Sequence, residues 1–188
     1  MNSKNEIQNG VAKTVADKSS GSWVAAHLSI GSNLGDSRSC IESALQILKE
    51  HDSIKITSVS DYFKTEPVDM HDGGNFINCA VGIETNLSPL ELLDSLEEIE
   101  HLLGRKTKRD NKPRTIDIDI IYYGGMVVVF PRLQVPHPKM AQRRFVLEPL
   151  AQIAPDIKHP TLHQTPAELV MAVSNHTGHC WKIENTGV

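Results

Sequence analysis

The 188-residue sequence has few cysteines, few aromatic residues and no long apolar run. Its three cysteines are widely spaced and form no Cys-x-x-Cys pair, which argues against a disulfide scaffold or redox motif and favours a reducing compartment. No stretch reaches the roughly 18 unbroken apolar residues that a membrane-spanning helix needs. The 19 Lys and Arg are outnumbered by 23 Asp and Glu, and a net charge of −4 disfavours a protein that coats nucleic acid. We therefore expect a cytoplasmic protein that binds neither membrane nor nucleic acid.

The N-terminal region also lacks the apolar core of a signal peptide and the arginine bias of a transit peptide. Its Asn, Ser, Lys and Ala content predicts a polar, disordered extension over residues 1–22. The remaining length suits one domain, which we place at residues 23–175, with a C-terminal tail at 176–188.

Hydrophobic patterning predicts four strands in the core of this domain. Runs rich in β-branched and aromatic residues place them at residues 23–30, 54–64, 76–85 and 115–123. Helical patterns follow the first and third strands, so the order is strand-helix-strand-strand-helix-strand. This order is that of the ferredoxin-like βαββαβ sandwich, an α+β fold.

The two helices carry recognisable end signals. After a turn at residues 31–36, Asp36 or Ser37 can cap the first helix. The second begins with a Ser88–Glu91 capping box and ends at Gly104. Beyond the fourth strand the pattern predicts C-terminal additions, namely a short strand at 126–130 and helices at 143–153 and 166–173.

The sharpest local feature is Asp117-Ile118-Asp119 in the fourth predicted strand. Side chains alternate along a strand, so both carboxylates share one face with their Cα atoms about 6.6 Å apart. Such a pair suits Mg²⁺ that still holds phosphate oxygens and waters, or it can straddle two metal ions. A polar, solvated strand face would show the same pattern, and short motifs often match by chance.

Basic residues surround this carboxylate pair. The loop RKTKRDNKPR at 105–114 directly precedes it, and a second basic cluster follows at Arg132, His137, Lys139, Arg143 and Arg144. A solvated basic loop is the plain alternative, but two basic clusters in an acidic protein favour a polyphosphate held by a metal and guanidinium groups. Because its charges repel, we expect the loop to be open without an anion and ordered when substrates bind.

Two other motifs are weaker. The turn at 31–36 lacks both the Gly-Lys-Ser/Thr of a phosphate loop and a Gly-x-Gly-x-x-Gly sequence, so we interpret it as a tight turn whose glycines permit positive φ. Near the C-terminus, four histidines and one cysteine are residue types that bind zinc, but their spacing fits no ordered zinc finger. The residues concerned are His159, His163, His176, His179 and Cys180.

Four segments, in order, resemble the 6-hydroxymethyl-7,8-dihydropterin pyrophosphokinase family of folate biosynthesis. They are IGSNLGD at 30–36, FINCAV at 76–81, PRTIDIDII at 113–121 and VPHP at 135–138. The resemblance implies a ferredoxin-like core and the transfer of pyrophosphate from ATP to the pterin hydroxymethyl group, which releases AMP. It also implies that Asp117 and Asp119 bind two Mg²⁺ ions and act in catalysis with Arg105 and Arg114.

The resemblance implies further site residues. Those for ATP are Glu100, Arg105, Arg114, Ile120, Arg132, His137 and Arg143. Those for the pterin are Thr65, Val68, Phe76, Asn78 and Phe145, where the phenylalanines sandwich the ring and Asn78 reads its polar edge. The partners we expect are ATP and a reduced pterin alcohol, and the state we expect is a monomer. The sequence departs from the family at Asn111 and Lys112, where an aromatic residue and Gly are usual, and at Glu66 and Pro138.

The residues themselves agree with this chemistry, since phosphoryl transfer depends mostly on alignment and charge neutralisation. Either Asp117 or Asp119 can accept the hydroxyl proton, and the sequence does not separate base from ligand. A nucleotide-sugar transferase with an Asp-x-Asp motif would need a larger nucleotide-binding domain. A ferredoxin-like RNA-binding module would show stacking aromatics at strand centres, whereas this chain has only 5% aromatic residues.

Overall fold

The computed structural model describes residues 22–65, 74–105, 114–173 and 180–183. The strands in these segments are β1 (Val24–Ser32), β2 (Ile54–Val59), β3 (Phe63–Thr65), β4 (Phe76–Thr85), β5 (Asp117–Tyr123), β6 (Val128–Val129), β7 (Gln134–Val135) and β8 (Cys180–Lys182). The helices are α1 (Ser37–Glu50), α2 (Pro89–Leu102), α3 (Arg144–Ile153) and α4 (Pro166–Ala172), with a 3₁₀ turn at Met140–Gln142. None of these helices is long and apolar enough to cross a membrane.

Six of the described strands form one antiparallel sheet. Its order is β5-β1-β4-β3-β8, and β2 pairs with β4 on the edge that β3 also uses. Strands β6 and β7 pair separately. The order β5-β1-β4-β2/β3, with helices α1 and α2 linking the strands, is the ferredoxin-like arrangement, so the predicted α+β fold is confirmed.

Local chemistry starts the helices where the sequence indicates. The Asp36 side chain accepts a hydrogen bond from the Ser39 N–H, which makes Asp36 the N-cap of α1. Ser88 and Glu91 form the predicted reciprocal capping box of α2. Gly104 has φ 89°, the left-handed conformation that ends a helix without strain.

The two faces of the sheet bury different clusters. On one face, apolar residues of β1, β4 and β5 pack against the buried stripes of α1 and α2. On the other face, Ile121 and Tyr122 of β5 pack against α3 and α4. Each fully buried large aliphatic or aromatic side chain contributes about 1.5–3 kcal/mol. The two helix pairs therefore hold the sheet from opposite sides.

Three strand predictions were wrong in detail. The predicted strand 54–64 is two strands, because the Ser60 Oγ accepts the Ala80 N–H in place of a backbone carbonyl and the ladder breaks there. Strand β1 continues through Gly31 to Ser32, beyond its predicted end, and β5 begins at Asp117 instead of residue 115. Strand β8, which adds to the edge of β3, has no counterpart in the sequence prediction.

The predicted extension at residues 1–22 lies outside the described residues except for Ser22. The proposed domain limits at 23–175 and the tail at 176–188 remain predictions.

Candidate active site

The site is built on one row of paired residues across the sheet. Gly31 of β1 lies opposite Asp117 of β5 on one side and opposite Asn78 of β4 on the other. Residues directly opposite in an antiparallel sheet project from the same face, so Asp117 and Asn78 share a face with Gly31 between them. With strands about 4.8 Å apart, the two side chains start roughly 10 Å from each other.

Gly31 keeps the space between these two side chains open. A Cβ atom at this position would lie 2.6 Å from the Asn78 Oδ1, well inside van der Waals contact. The positive φ expected of this glycine was wrong, since Gly31 lies in β1 and the left-handed conformation occurs at Gly35, with φ 70°. Gly31 is therefore needed for close packing beside Asn78, and Gly35 for the turn.

Asp117 is held by two arginines. Its Oδ1 accepts a hydrogen bond from Arg105 Nη1 at 2.5 Å, and its Oδ2 accepts one from Arg114 Nη1 at 2.7 Å. The Asp117 side chain is 25% exposed, so the pair is partly shielded from water. These two cations come from opposite ends of the predicted basic loop, and the strand that begins at Asp117 brings them together. Residues 106–113 of the loop lie outside the described residues, so its predicted ordering stays a prediction.

Glu100 of α2 extends this network into the protein. It is 2% exposed, and its Oε1 accepts hydrogen bonds from Arg105 Nη1 at 2.6 Å and from the Ile118 N–H at 2.7 Å. Burial alone would lower the pKa of Arg105, but Asp117 and Glu100 outweigh burial and hold that pKa above its ordinary value. Arg105 is therefore a permanent cation at the base of the site.

Asp119 and His137 border the same region. Asp119 lies two residues along β5 from Asp117, on the same face, and its charge acts on Arg105. Burial, followed by the charge of Arg143, lowers the pKa of His137 to about 4, although Asp117 opposes that shift. The imidazole of His137 is therefore neutral at physiological pH and can donate or accept a hydrogen bond without carrying charge.

The predicted pterin residues cluster at the neighbouring strands. Asn78 is 3% exposed, and its Nδ2 donates to the Thr65 Oγ1 at 2.9 Å, which fixes the orientation of the amide. Phe76 lies two residues before Asn78 and therefore on the same face of β4. At the start of α3, the Arg143 guanidinium lies 5.5 Å from the ring centre of Phe145. Phe76 and Phe145 are both only partly buried, so each ring keeps a surface for a flat ligand.

Two predicted site residues, Arg132 and Ile120, are not brought to this cluster. Arg132 makes exposed ion pairs with Asp94 and Glu97 of α2. Ile120 packs into the α1/α2 core, as its position in the strand predicts. Val68 lies outside the described residues, as do Glu66, Asn111 and Lys112.

Sequence reasoning missed Asn33. Its N–H donates to the Arg114 carbonyl at 3.2 Å, and its Oδ1 accepts from the Arg114 N–H at 2.7 Å. Asn33 stands inside the quoted motif IGSNLGD, but the motif by itself does not show that the partner lies 81 residues away.

The donor set at Asp117 and Asp119 fits a magnesium ion. Both are carboxylates, the hard oxygen ligands that Mg²⁺ prefers, and Mg²⁺ needs only one or two of them when phosphates and waters complete its shell. No larger cluster of metal-ligating side chains occurs among the residues that the structure describes. His159, one of the residues considered for zinc, uses its Nδ1 to accept backbone N–H groups of Thr161 and Leu162. Two others, His176 and His179, lie outside the described residues.

Comparison with known proteins identifies relatives of this chain. Residues 27–155 match the family described as 7,8-dihydro-6-hydroxymethylpterin-pyrophosphokinase (HPPK). The chain is 38% identical over 154 residues to the 2-amino-4-hydroxy-6-hydroxymethyldihydropteridine pyrophosphokinase of Bacillus subtilis, covering 81% of this chain and 92% of that protein. The protein of the same name in Pseudomonas aeruginosa is 38% identical over 146 residues, covering 78% and 90% of the two chains. The folic acid synthesis protein FOL1 of Dictyostelium discoideum is 40% identical, covering 79% of this chain but only 22% of its own length.

Solved structures share the fold. Wild-type HPPK-DHPS from Plasmodium falciparum with pteroate matches with a TM-score of 0.66 at 17% identity, covering 80% of this chain and 42% of that one. A structure of HPPK-DHPS in complex with substrates matches with a TM-score of 0.63 at 16% identity, covering 80% and 43%. The chain thus spans less than half of these solved chains. The sequence match over residues 27–155 and the identity to the bacterial enzymes show that the chain belongs to the HPPK family, whose members are ATP-dependent pyrophosphokinases of folate biosynthesis.

Proposed function

We propose that this chain transfers pyrophosphate from ATP to 6-hydroxymethyl-7,8-dihydropterin, with ATP bound at the Asp117 end of the row and the pterin at the Asn78 end. The observation that carries the assignment of ends is the pairing of Asp117 and Asn78 on either side of Gly31. HPPK enzymes use ATP and are generally magnesium-dependent. The finer assignment is that Asp117 and Asp119 hold two Mg²⁺ ions, which would neutralise phosphate charge and align the phosphate chain.

The arginines support ATP binding at the Asp117 end. Arg105 and Arg114 donate hydrogen bonds to the two carboxylate oxygens of Asp117, and Glu100 accepts one from Arg105. The polyphosphate of ATP offers guanidinium groups a stronger, bidentate partner. We infer that Arg114 exchanges Asp117 for phosphate, since it is the more exposed of the two arginines. That exchange frees one carboxylate oxygen of Asp117 to bind a metal ion.

The reaction needs positioning more than covalent help from the protein. The pterin hydroxymethyl oxygen forms a bond to the β-phosphorus of ATP, the bond from that phosphorus to the α,β-bridging oxygen breaks, and AMP leaves with the bonding electrons. The hydroxyl proton passes to Asp117, to Asp119 or to water. The guanidinium groups of Arg105 and Arg114 stabilise the charge that develops on the phosphate oxygens.

The proposed pterin end contains two aromatic rings and one oriented amide. Phe76 and Phe145 supply ring surfaces for stacking, which aromatic groups favour by about 0.5–1.5 kcal/mol beyond buried area. The amide of Asn78, oriented by Thr65, supplies a hydrogen-bonding group for the polar edge of a heterocycle.

His137, Arg143 and Arg132 are proposed to bind ATP, and Glu100 and Ile120 to lie near its nucleoside. The same proposal assigns Val68 to the pterin and describes a monomer in the cytoplasm.

Product analysis tests this function directly. The full chain is incubated with MgATP and 6-hydroxymethyl-7,8-dihydropterin, and phosphorus NMR follows the nucleotides. We expect AMP and the pterin diphosphate ester in equal amounts. ADP as the product would indicate transfer of a single phosphoryl group and would contradict the proposal. Absence of ATP consumption together with tight RNA binding would instead support the RNA-binding alternative.

A further inference from the structure

Asn33 joins the turn after β1 to the backbone of Arg114. It is 7% exposed and follows the last residue of β1. Both backbone polar groups of Arg114 bind it, the carbonyl through the Asn33 N–H at 3.2 Å and the N–H through the Asn33 Oδ1 at 2.7 Å. This two-point contact fixes the backbone of Arg114, three residues before β5 begins.

The contact departs from the register of the sheet. Gly31 pairs with Asp117, so continuing the antiparallel ladder would place Asn33 opposite Thr115. Asn33 instead reaches Arg114, one residue farther, and its side-chain carbonyl takes the place of a backbone acceptor. The bond from the Arg114 N–H therefore depends on the Asn33 side chain, whereas the bond to the Arg114 carbonyl is donated by the Asn33 backbone.

The Asn33 side chain uses its carbonyl in this contact. Its Nδ2, like the Oγ1 of the neighbouring Thr115, is buried and has no hydrogen-bond partner in the described part of the chain. The side-chain carbonyl is therefore the group through which a substitution at Asn33 would act on Arg114.

We propose that Asn33 is a positioning residue for Arg114. By fixing the N–H and the carbonyl of Arg114, Asn33 limits the directions from which the guanidinium reaches the Asp117 side of the row. Arg114 Nη1 lies 2.7 Å from Asp117 Oδ2 in this arrangement. The inference rests on the proposed function, in which Arg114 binds the phosphates of ATP.

A double-mutant cycle separates positioning from a general effect on folding. Arg114→Ala removes the guanidinium but keeps the backbone groups that bind Asn33. Asn33→Ala should therefore lower kcat on the order of 10-fold to 100-fold in the wild-type background, the scale expected for a misplaced group. In the Arg114→Ala background it should change kcat less than about twofold, because effects transmitted through one group are not additive. Its effect on the unfolding free energy should be the same in both backgrounds.

One control variant sharpens the cycle. Thr85→Val is the matched control, because Thr85 is a buried side chain that bonds backbone groups at the other end of the sheet. It should lower stability comparably and leave kcat unchanged.

Each outcome is decisive. Equal loss of kcat from Asn33→Ala in both backgrounds, or no loss in the wild type, would overturn the positioning role. If Arg114→Ala itself leaves kcat unchanged, the assignment of Arg114 in the proposed function fails. If Arg114→Ala lowers kcat and Asn33→Ala lowers it by the same factor in both backgrounds, only the positioning role is rejected.

Discussion

The two faces of β5 differ in what they present along the same seven residues. One face carries Ile118 and Ile120, which are buried in the α1/α2 core. The other carries Asp117 and Asp119 at the start of the strand, and only farther along does it become apolar, at Ile121, where α3 covers it. Because side chains alternate along a strand, adjacent residues of β5 contribute in turn to the hydrophobic core and to the candidate site. Substitutions on the two faces should therefore separate stability from activity.

The largest expected effect is on turnover, from the polar face. Asp117→Asn and Asp119→Asn keep side-chain volume but remove the charge that is proposed to hold metal and orient the arginines. We expect kcat to fall on the order of 100-fold to 1,000-fold, as it does when a preorganised charge-stabilising group is removed.

Ile118→Ala is the matched variant on the opposite face. It should lower the unfolding free energy by about 2–5 kcal/mol through the cavity it leaves. The kcat of its folded fraction should stay near that of the wild type. Measuring kcat and urea denaturation for all three variants checks the contrast, and near-normal turnover in Asp117→Asn at saturating Mg²⁺ would remove that residue from the mechanism.

The next effect concerns Glu100, which connects the helix layer to the polar face. Glu100→Gln leaves Arg105 buried with one charged partner fewer. Because breaking a buried ion pair is costly, we expect a loss of unfolding free energy on the order of 3 kcal/mol. Glu98→Gln, an exposed change on the same helix, should stay within about 0.5 kcal/mol. Equal stabilities of the two variants in urea denaturation would show that the network does not hold the two layers together.

A smaller effect is expected at Gly31, between the two ends of the row. In Gly31→Ala the new Cβ meets the Asn78 Oδ1, so the oriented amide must move. Overpacking of this kind costs about 1–3 kcal/mol, and we expect it chiefly as weaker pterin binding. Gly125→Ala is the control, because a Cβ there meets no atom within 4 Å. Calorimetric titration with a pterin analogue measures the difference, and unchanged pterin affinity in Gly31→Ala would argue against Asn78 as a pterin contact.

At neutral pH the smallest effect is that of His137, whose contribution to stability emerges only as the pH falls. Its pKa is lowered to about 4 in the folded protein, mainly by burial, whereas an unfolded histidine titrates near 6.5. As the pH falls below about 6.5, the unfolded chain takes up the proton first, so stability is lost between about pH 6.5 and pH 4. His137→Gln should flatten the decline in unfolding free energy over this window, measured by urea denaturation. The exposed change His101→Gln serves as control, and identical slopes in the two variants would contradict the assignment.

Local signals decided much of the fold. The capping box at Ser88 and Glu91, the glycine stop at Gly104 and the alternation through β5 involve residues at most a few positions apart, so the sequence shows them directly. The break between β2 and β3 was not visible, because it depends on Ser60 meeting Ala80 on a strand 20 residues away. Strand β8 was missed for the same reason, since three residues form a strand only because the edge of β3 is available to them.

The amino-acid sequence by itself determined which chemistry is available, namely two carboxylates on one strand face, a basic loop beside them and a family resemblance. The tertiary structure alone decided how these groups are arranged. In the folded chain, Glu100 accepts a hydrogen bond from Arg105, and both carboxylate oxygens of Asp117 accept hydrogen bonds from arginines. Arg132 instead forms an exposed ion pair with a residue of α2. The reason is physical, because hydrogen bonds and ion pairs form between groups that chain folding brings within about 3 Å, and sequence spacing does not encode those distances.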